Sequence, residues 1–183
     1  LVTLRPGDAN EVAEAGRAIM QMHHEPGVLI LSRQALPTLD RTTYAPASGA
    51  RKGAYVLADA PGGKPDVILL ATGSEVALCV EAFEKLKAEG VKARVVSMPS
   101  WEVFEHQTQE YRDSVLPPQV AARVSVEQAS TFGWARYVGL TGCTIGMTTF
   151  GASAPLKELL KKFGFTVENV VAAAKEQVKL SRK

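Results

Sequence analysis

From residue 67 onward, short apolar runs alternate with amphipathic helical patterns, and this alternation restricts the fold more than any other feature. The runs at 67–72, 91–98 and 122–127 are separated by stretches whose apolar residues recur at helical spacing. Parallel strands need long crossover connections, which are usually helices that cover the sheet. The pattern therefore predicts a three-layer α/β/α fold around a mostly parallel sheet.

The segment before residue 67 predicts one further strand, which makes the sheet mixed. The run at 54–59 is joined to the run at 67–72 by the turn-forming residues 61–65, so we expect these two strands to pair antiparallel. Near the other end of the chain, Pro155 lies where a helix starts and Thr166 is positioned to cap a last helix.

The first 46 residues predict a separate and incomplete unit. Asp8 can cap a helix, and a short apolar strand follows at 28–31. One helix and one strand cannot complete a sheet, so we expect a partial α/β domain at 1–46, a linker at 47–53 and a second domain at 54–183. In isolation the strand would be an unprotected edge, so we expect residues 1–46 to be poorly ordered or paired with another copy.

Composition excludes several classes of function. The 183 residues are 46% hydrophobic and 22% charged, as in ordinary globular proteins, and no apolar run approaches the ~20 residues that span a membrane. The net charge of +2 comes from basic residues mixed with acidic ones, without interleaved aromatic residues, which argues against a nucleic-acid partner. Cys79 and Cys143 have no metal-ligand spacing, and reduced thiols predict a cytoplasmic protein. The first residues lack a signal peptide, and we expect that the chain begins inside a longer protein.

Arg33, Gly73, Ser74 and Glu127 are the residues with a candidate role in binding or catalysis. Arg33 follows the apolar strand at 28–31 and is either an ordinary surface arginine or an anion ligand. Gly73 and Ser74 link a strand to a helix; an ordinary turn capped by Ser74 is favoured over an anion site at the helix N-terminus. Glu127 ends a strand. Its carboxylate either takes part in the chemistry of a site or accepts hydrogen bonds from nearby backbone amides, and the pattern favours neither. The residues alone predict an α/β domain with a candidate anion site near Arg33.

Seven motifs, in order along nearly the whole chain, resemble the transketolase family. Two positions differ from the family pattern: Gly7, where alanine is expected, and the pair Gln128-Ala129. The motifs are RPGDANE (5–11), LSRQALP (31–37), LLATGSEV (69–76), ARVVSMPS (93–100), RVSVE (123–127), IGMTTFGASAP (145–155) and FGFTVENV (163–170).

The resemblance implies a C-terminal fragment of a transketolase. In that family, residues 1–46 correspond to the tail of the pyrimidine-binding middle domain and residues 54–183 to the C-terminal domain. Transketolases are homodimeric enzymes of the pentose phosphate pathway that use thiamine diphosphate and a divalent cation, Mg or Ca. They transfer a two-carbon ketol group from a ketose phosphate to an aldose phosphate. Arg33 occupies the position of the family's arginine that binds the phosphate of the sugar substrate.

The family's cofactor-binding, metal-binding and catalytic residues lie upstream of this segment. The resemblance therefore implies no catalytic residue, no metal site and no bound cofactor in this chain alone, which we expect to be inactive without the rest of the transketolase chain. Two alternatives remain. The chain is a non-catalytic dimerisation module, or a regulatory module that binds an anion at Gly73 and Ser74. Otherwise it is part of a related dihydroxyacetone synthase, which shares several of these motifs.

Overall fold

The computed structural model describes residues 1–182, which form two sheets and seven α-helices. Two short 3-10 helices, Ala47–Lys52 and Pro61–Gly63, lie between the strands. The strands and helices are β1 (Val2–Leu4), α1 (Ala9–Met20), β2 (Gly27–Leu29), β3 (Tyr55–Ala58), β4 (Val67–Ala71), α2 (Glu75–Ala88), β5 (Ala93–Ser97), α3 (Trp101–Glu105), α4 (Gln109–Val115), β6 (Arg123–Ser130), α5 (Ala135–Val138), β7 (Cys143–Met147), α6 (Leu156–Lys162) and α7 (Val167–Ser181).

A five-stranded sheet with the order β3-β5-β4-β6-β7 forms the centre of the larger unit. Four neighbouring strands are parallel, and β3 joins the edge antiparallel to β5. In the central strand, Leu69 is level with Val95 of β5 and with Val124 of β6. Every residue of β4 and β5 is buried, as expected for strands covered on both faces. The predicted α/β fold with a mostly parallel, mixed sheet is confirmed.

Alternate residues of β4 face two different apolar clusters. Val67 and Leu69 belong to the cluster that α2 and α7 complete, with Phe83 from α2 and Val170 from α7. The residues between them, such as Ile68, pack in the second cluster, which includes residues of α3, α4 and α5. Because neighbouring side chains in a strand point to opposite faces, one apolar run supplies both cores. The sheet is therefore the middle of three layers.

The predicted antiparallel pairing between the two strands at 54–59 and 67–72 is wrong. β4 has parallel neighbours on both sides, so the only free edge near β3 is that of β5. A partly buried ion pair stabilises this arrangement: Arg94 in β5 donates to both carboxylate oxygens of Asp59, which follows β3, at 2.9 and 2.7 Å. The turn at 61–65 therefore carries the chain past β5 rather than closing a hairpin.

Residues 1–46, called here the N-terminal segment, contain two strands where one was predicted. β1 pairs parallel with β2, with Val2 level with Gly27, and α1 connects the two. The predicted strand at 28–31 is observed as Gly27–Leu29. The predicted cap of α1 is confirmed, because Oδ1 of Asp8 accepts from the amide of Glu11 at 2.8 Å. β1 has only three residues, too few for a periodic pattern.

The 47–53 region, predicted as an irregular linker, is largely the 3-10 helix Ala47–Lys52. Its residues Ala47 and Ala50 are buried, and the helix contacts α1, α3 and β3. Small side chains here allow close packing between the N-terminal segment and the larger unit.

Several helix ends differ from the prediction. Ser74 precedes α2, but its side chain makes no capping hydrogen bond. Pro155 immediately precedes α6 instead of lying in its first turn, whereas Thr166 caps α7 as predicted, accepting from the amide of Asn169 at 3.3 Å. The helix α4 was not predicted. Among the helices within residues 1–182, none combines the length and apolar character needed to cross a membrane.

Leu70→Ala tests the central position of β4. Leu70 is fully buried, so truncating it should lower the free energy of unfolding by about 2–5 kcal/mol, measured by urea denaturation. Leu140→Ala is the matched control, because Leu140 is fully exposed and its truncation should change the free energy by less than about 0.5 kcal/mol. Equal effects of the two substitutions would contradict the burial of β4.

Candidate functional site

A cleft lies where the carboxyl ends of β4 and β6 meet the N-terminal segment. Beyond β4 the chain turns towards β5, and beyond β6 it turns towards β7 on the opposite side. Such divergence of connections opens a crevice, which is where ligands bind in open α/β sheets. The cleft is lined by Arg5, Pro6, Ile30, Leu31, Ser32, Thr72, Gly73, Ser74, Glu75, Glu127, Gln128 and Ala129, and it adjoins a second pocket bounded by Trp101 and Phe132.

Arg5, the first residue after β1, lines this cleft and connects the elements around it. Its carbonyl oxygen accepts from the amide of Gly73 at 3.0 Å and from the hydroxyl of Thr72 at 3.3 Å. Its amide donates to the carbonyl of Pro99 at 2.8 Å, and its guanidinium pairs with Glu127. These contacts join the N-terminal segment to the turns that follow β4 and β5.

Within residues 1–182, the carboxylate of Glu127 accepts from two side chains and from no backbone amide. One carboxylate oxygen pairs with Arg5, and the other accepts from the indole nitrogen of Trp134 at 2.8 Å. Trp134 is fully buried and stacks edge to face on Trp101, with 5.1 Å between ring centroids. Both oxygens of Glu127 are therefore committed to side chains that hold the cleft together.

Gly73 and Ser74 form a turn in which the amide of Gly73 and the hydroxyl of Ser74 are already engaged. Gly73 has a φ of 58°, a conformation that glycine adopts readily, and its amide is bound to Arg5. The hydroxyl of Ser74 donates to the carboxylate of Glu75, which accepts from the amide and side chain of Gln128 at 3.0 and 2.7 Å. A carboxylate at this helix start disfavours an anion, so the contacts favour the ordinary turn. Anion binding at Gly73 and Ser74 remains an untested prediction.

Glu75 is buried at the base of the cleft, and its surroundings affect its ionisation. Burial raises the pKa of this carboxyl above its ordinary value, while the hydrogen bonds from Ser74 and Gln128 act in the opposite direction. The net effect favours the protonated form relative to a glutamate in water.

Arg33 lies four residues beyond the end of β2, in a bend exposed to solvent. Ser32 lines the cleft beside Arg5, and Gln34 lines an adjoining pocket against α2 and α6. Within residues 1–182 the guanidinium of Arg33 makes no hydrogen bond or ion pair, whereas those of Arg5, Arg41 and Arg94 are all engaged. Arg33 itself lines neither pocket, and its planar fork of donors is exposed to solvent between two residues that do.

Sequence reasoning missed the residues that bring the two parts of the cleft together. Arg5 and Glu127 are 122 positions apart, so no local pattern shows that they pair. The structure shows what Gly7 and Gln128, which depart from the family pattern, contact. A Cβ at Gly7 would lie 2.9 Å from the side chain of Val76, and Gln128 supplies two of the donors to Glu75.

The residues of this chain do not by themselves fit a metal-diphosphate group. Among residues 1–182, no three His, Cys, Asp or Glu side chains cluster in a way that would hold a metal ion. The acidic groups in the cleft are Glu75 and Glu127, and both already accept hydrogen bonds from neighbouring side chains. A divalent cation and its diphosphate would need ligands from outside this chain.

The fold and the cleft define a mixed α/β domain of the kind that binds ligands beyond the carboxyl ends of its strands. Residues 53–166 match the family model of the transketolase-like TK C-terminal domain. This chain therefore belongs to the transketolase family.

Three relatives show how far the similarity extends. Transketolase 1 of Escherichia coli (strain K12) is 55% identical over 174 residues, 95% of this chain and 26% of that protein. Transketolase 7 of Craterostigma plantagineum is 51% identical over 179 residues, 96% of this chain and 26% of that protein. A Pichia stipitis transketolase structure in complex with sedoheptulose-7-phosphate has a TM-score of 0.88 and 40% identity, covering 99% of this chain and 25% of that one. The chain thus spans about a quarter of the length of these relatives.

Glu75→Gln tests the effect of burial on the Glu75 carboxyl. Because the pKa is raised in the folded state, the stability that the protonated group contributes is present below its ordinary pKa of 4.5 and is lost as pH rises through the folded value. The unfolding free energy of the wild type minus that of Glu75→Gln should therefore fall as the pH rises above 4.5. Urea unfolding at a series of pH values measures this difference.

Glu81→Gln is the control for loss of a carboxylate from the same helix, since Glu81 is exposed. It should change the free energy of unfolding at neutral pH by less than about 0.5 kcal/mol. A Glu75 difference that stays flat or rises with pH would contradict the raised pKa.

Proposed function

We propose that this chain is the C-terminal part of a transketolase and that Arg33 binds the phosphate of the sugar substrate. In this proposal the complete enzyme transfers a two-carbon ketol group from a ketose phosphate to an aldose phosphate. The observation that carries the proposal is the free, solvent-exposed guanidinium of Arg33 beyond the end of β2, next in sequence to Ser32, which lines the cleft. The names of the relatives and the sugar-phosphate complex of the Pichia stipitis enzyme support it.

The chemistry of arginine suits this role. A guanidinium is planar, permanently charged and able to donate two parallel hydrogen bonds to phosphate oxygens. A hydrogen bond to a charged group contributes about 1.5–3 kcal/mol, enough to change affinity without participating in bond breaking. Arg33 pairs with no carboxylate among residues 1–182. Its guanidinium therefore need not break an internal ion pair before it binds a phosphate.

The N-terminal segment supports the proposal that the rest of the transketolase chain packs here. Val28, Ile30 and Leu31 are between 39% and 57% exposed, although they are apolar, and β1 and β2 form a sheet of only two strands. We propose residues 1–46 as the tail of the pyrimidine-binding domain, 47–53 as the connection and 54–183 as the C-terminal domain. The remaining chain would then cover this apolar surface.

The proposed enzyme is a cytoplasmic homodimer that uses thiamine diphosphate and a divalent cation. Thiamine diphosphate supplies the carbanion chemistry when it is bound, and the ligands for both groups come from upstream residues. The chain described here would contribute substrate binding and subunit contacts, and would be inactive alone.

A non-catalytic assembly role is the second candidate function for residues 54–183. Three large apolar side chains, Phe132, Leu140 and Phe150, are 89–104% exposed, and the edge strand β7 lies between the last two in sequence. Exposed apolar groups near a free sheet edge are typical of subunit interfaces. In this case the domain would mediate association and Arg33 would have no part in substrate binding.

Arg33→Ala in the complete enzyme separates these functions. If Arg33 binds phosphate, KM for a phosphorylated acceptor sugar should rise by about tenfold or more, the loss of one charge-assisted contact. KM for an unphosphorylated sugar of the same length should be nearly unchanged. Steady-state kinetics with both sugars measure the effect.

Two further variants control this experiment. Arg33→Lys keeps the charge but loses the fork, so its KM should lie between those of the wild type and Arg33→Ala. Arg17→Ala removes an arginine on the exposed part of α1, with a side chain 65% exposed, and should leave both KM values unchanged. An equal loss for both sugars in Arg33→Ala would overturn the phosphate-binding role.

A further inference from the structure

The loop that carries Arg33 is held at its two ends. At the β2 end, the amide of Ile30 donates to the carbonyl of Leu4 at 2.9 Å. At the other end, the amide of Leu39 donates to Oδ2 of Asp8 at 3.1 Å. Between these two ends the loop has a local hydrogen bond, in which the hydroxyl of Ser32 donates to the carbonyl of Gln34 at 2.6 Å. The carbonyl of Leu39 also accepts from the side-chain amide of Asn10, over a longer distance of 3.4 Å. The Leu39 end of the loop is therefore held mainly by Asp8, with Asn10 as a weaker second contact.

The Asp8 attachment is buried and fully partnered. Asp8 is only 3% exposed, and its two oxygens accept from different groups. Oδ1 accepts from the amide of Glu11 and caps α1, while Oδ2 accepts from both Leu39 and the guanidinium of Arg41, the latter at 2.8 Å. One oxygen therefore stabilises the helix and the other holds the loop.

Arg41 connects this attachment to the main sheet. Its second terminal nitrogen donates to the hydroxyl of Tyr55 at 2.8 Å and to the carbonyl of Ala45 at 3.0 Å. Tyr55 lies in β3 and is itself buried. The far end of the Arg33 loop is thus fixed relative to both α1 and the five-stranded sheet.

We propose that Asp8 is a positioning residue that sets the location of the Arg33 guanidinium for phosphate binding. The inference rests on the proposed function of Arg33. A binding group must be held within a fraction of an ångström by a supporting set of contacts, and a loop fixed at only one end loses that precision. Asp8 acts through Leu39 and does not touch the substrate.

Asp8→Asn separates the two roles of the carboxylate, which are capping α1 and holding the Arg33 loop. Asparagine is as good an N-cap as aspartate, so its oxygen can keep the bond to the Glu11 amide. Its amide group then replaces Oδ2 and presents a donor to Leu39 and Arg41, which are also donors. Asp8→Ser is the second variant, because serine caps a helix but has no second oxygen to hold the loop.

The experiment measures loop mobility and kinetics in the complete transketolase. Hydrogen-deuterium exchange of the peptide covering residues 30–39 should be faster in both Asp8 variants than in the wild type. KM for a phosphorylated acceptor sugar should rise by about three- to tenfold, with kcat and the KM for an unphosphorylated sugar unchanged. Thr166→Ala, which removes the cap of the distant helix α7, controls for a general loss of stability and should affect neither readout.

Each outcome supports or overturns the proposal. Faster exchange together with a selective rise in KM supports it. Unchanged exchange overturns it, because the loop would then not depend on Asp8. If exchange rises without a change in KM, while Arg33→Ala raises KM for the phosphorylated sugar, the positioning role is wrong and the phosphate role of Arg33 stands. If Arg33→Ala itself has no selective effect, the proposed function fails and the positioning role fails with it.

Discussion

The buried carboxylate of Glu11 determines how the two parts of this chain fit together. It is completely inaccessible to solvent and accepts hydrogen bonds from the amide of Gly7 at 2.8 Å, the hydroxyl of Tyr55 at 2.7 Å and the hydroxyl of Ser97 at 2.7 Å. An unpartnered carboxylate in such a place would cost several kcal/mol. Burial, reinforced by Glu11, raises the pKa of Tyr55, so its hydroxyl stays protonated and remains a donor even in alkaline solution. The carboxylate is thus satisfied only when the N-terminal segment is docked on β3 and β5.

The arrangement of the cleft follows from this docking. Once α1 is fixed by Glu11, the residues before and at its start, Arg5 and Asp8, are placed at the carboxyl edge of the main sheet. Arg5 then closes the crevice between β4 and β6, and Asp8 fixes the far end of the Arg33 loop. The cleft and the loop that carries Arg33, the proposed phosphate ligand, are therefore positioned by residues that are distant in the sequence.

The sequence predicted correctly those features that depend on interactions between residues close together in the chain. The apolar runs at 67–72 and 91–98 contain β4 and β5. The caps by Asp8 and Thr166 were correct because a capping side chain bonds to residues two or three positions away. The pairing of β3 was wrong because partner choice depends on which edge remains free after β4 is surrounded. The prediction that Ser74 caps α2 was wrong, because its hydroxyl donates to the carboxylate of Glu75 instead.

The candidate site was predictable only in part. Arg33 was singled out from its position after an apolar strand, and its phosphate role came from the resemblance to transketolases, not from any pattern of spacing. The Arg5–Glu127 pair and the link from Asp8 to Leu39 are long-range contacts with no signature in the sequence. Glu127 illustrates the limit: its position at a strand end was clear, but its donors, Arg5 and Trp134, depend on the tertiary structure.

The most direct test of this account is a crystal structure of the complete transketolase with a phosphorylated ketose bound. The account predicts that the guanidinium nitrogens of Arg33 lie about 2.7–2.9 Å from two phosphate oxygens, the spacing of a charge-assisted, bidentate contact. A phosphate bound by other residues, with the guanidinium of Arg33 turned into solvent, would contradict it.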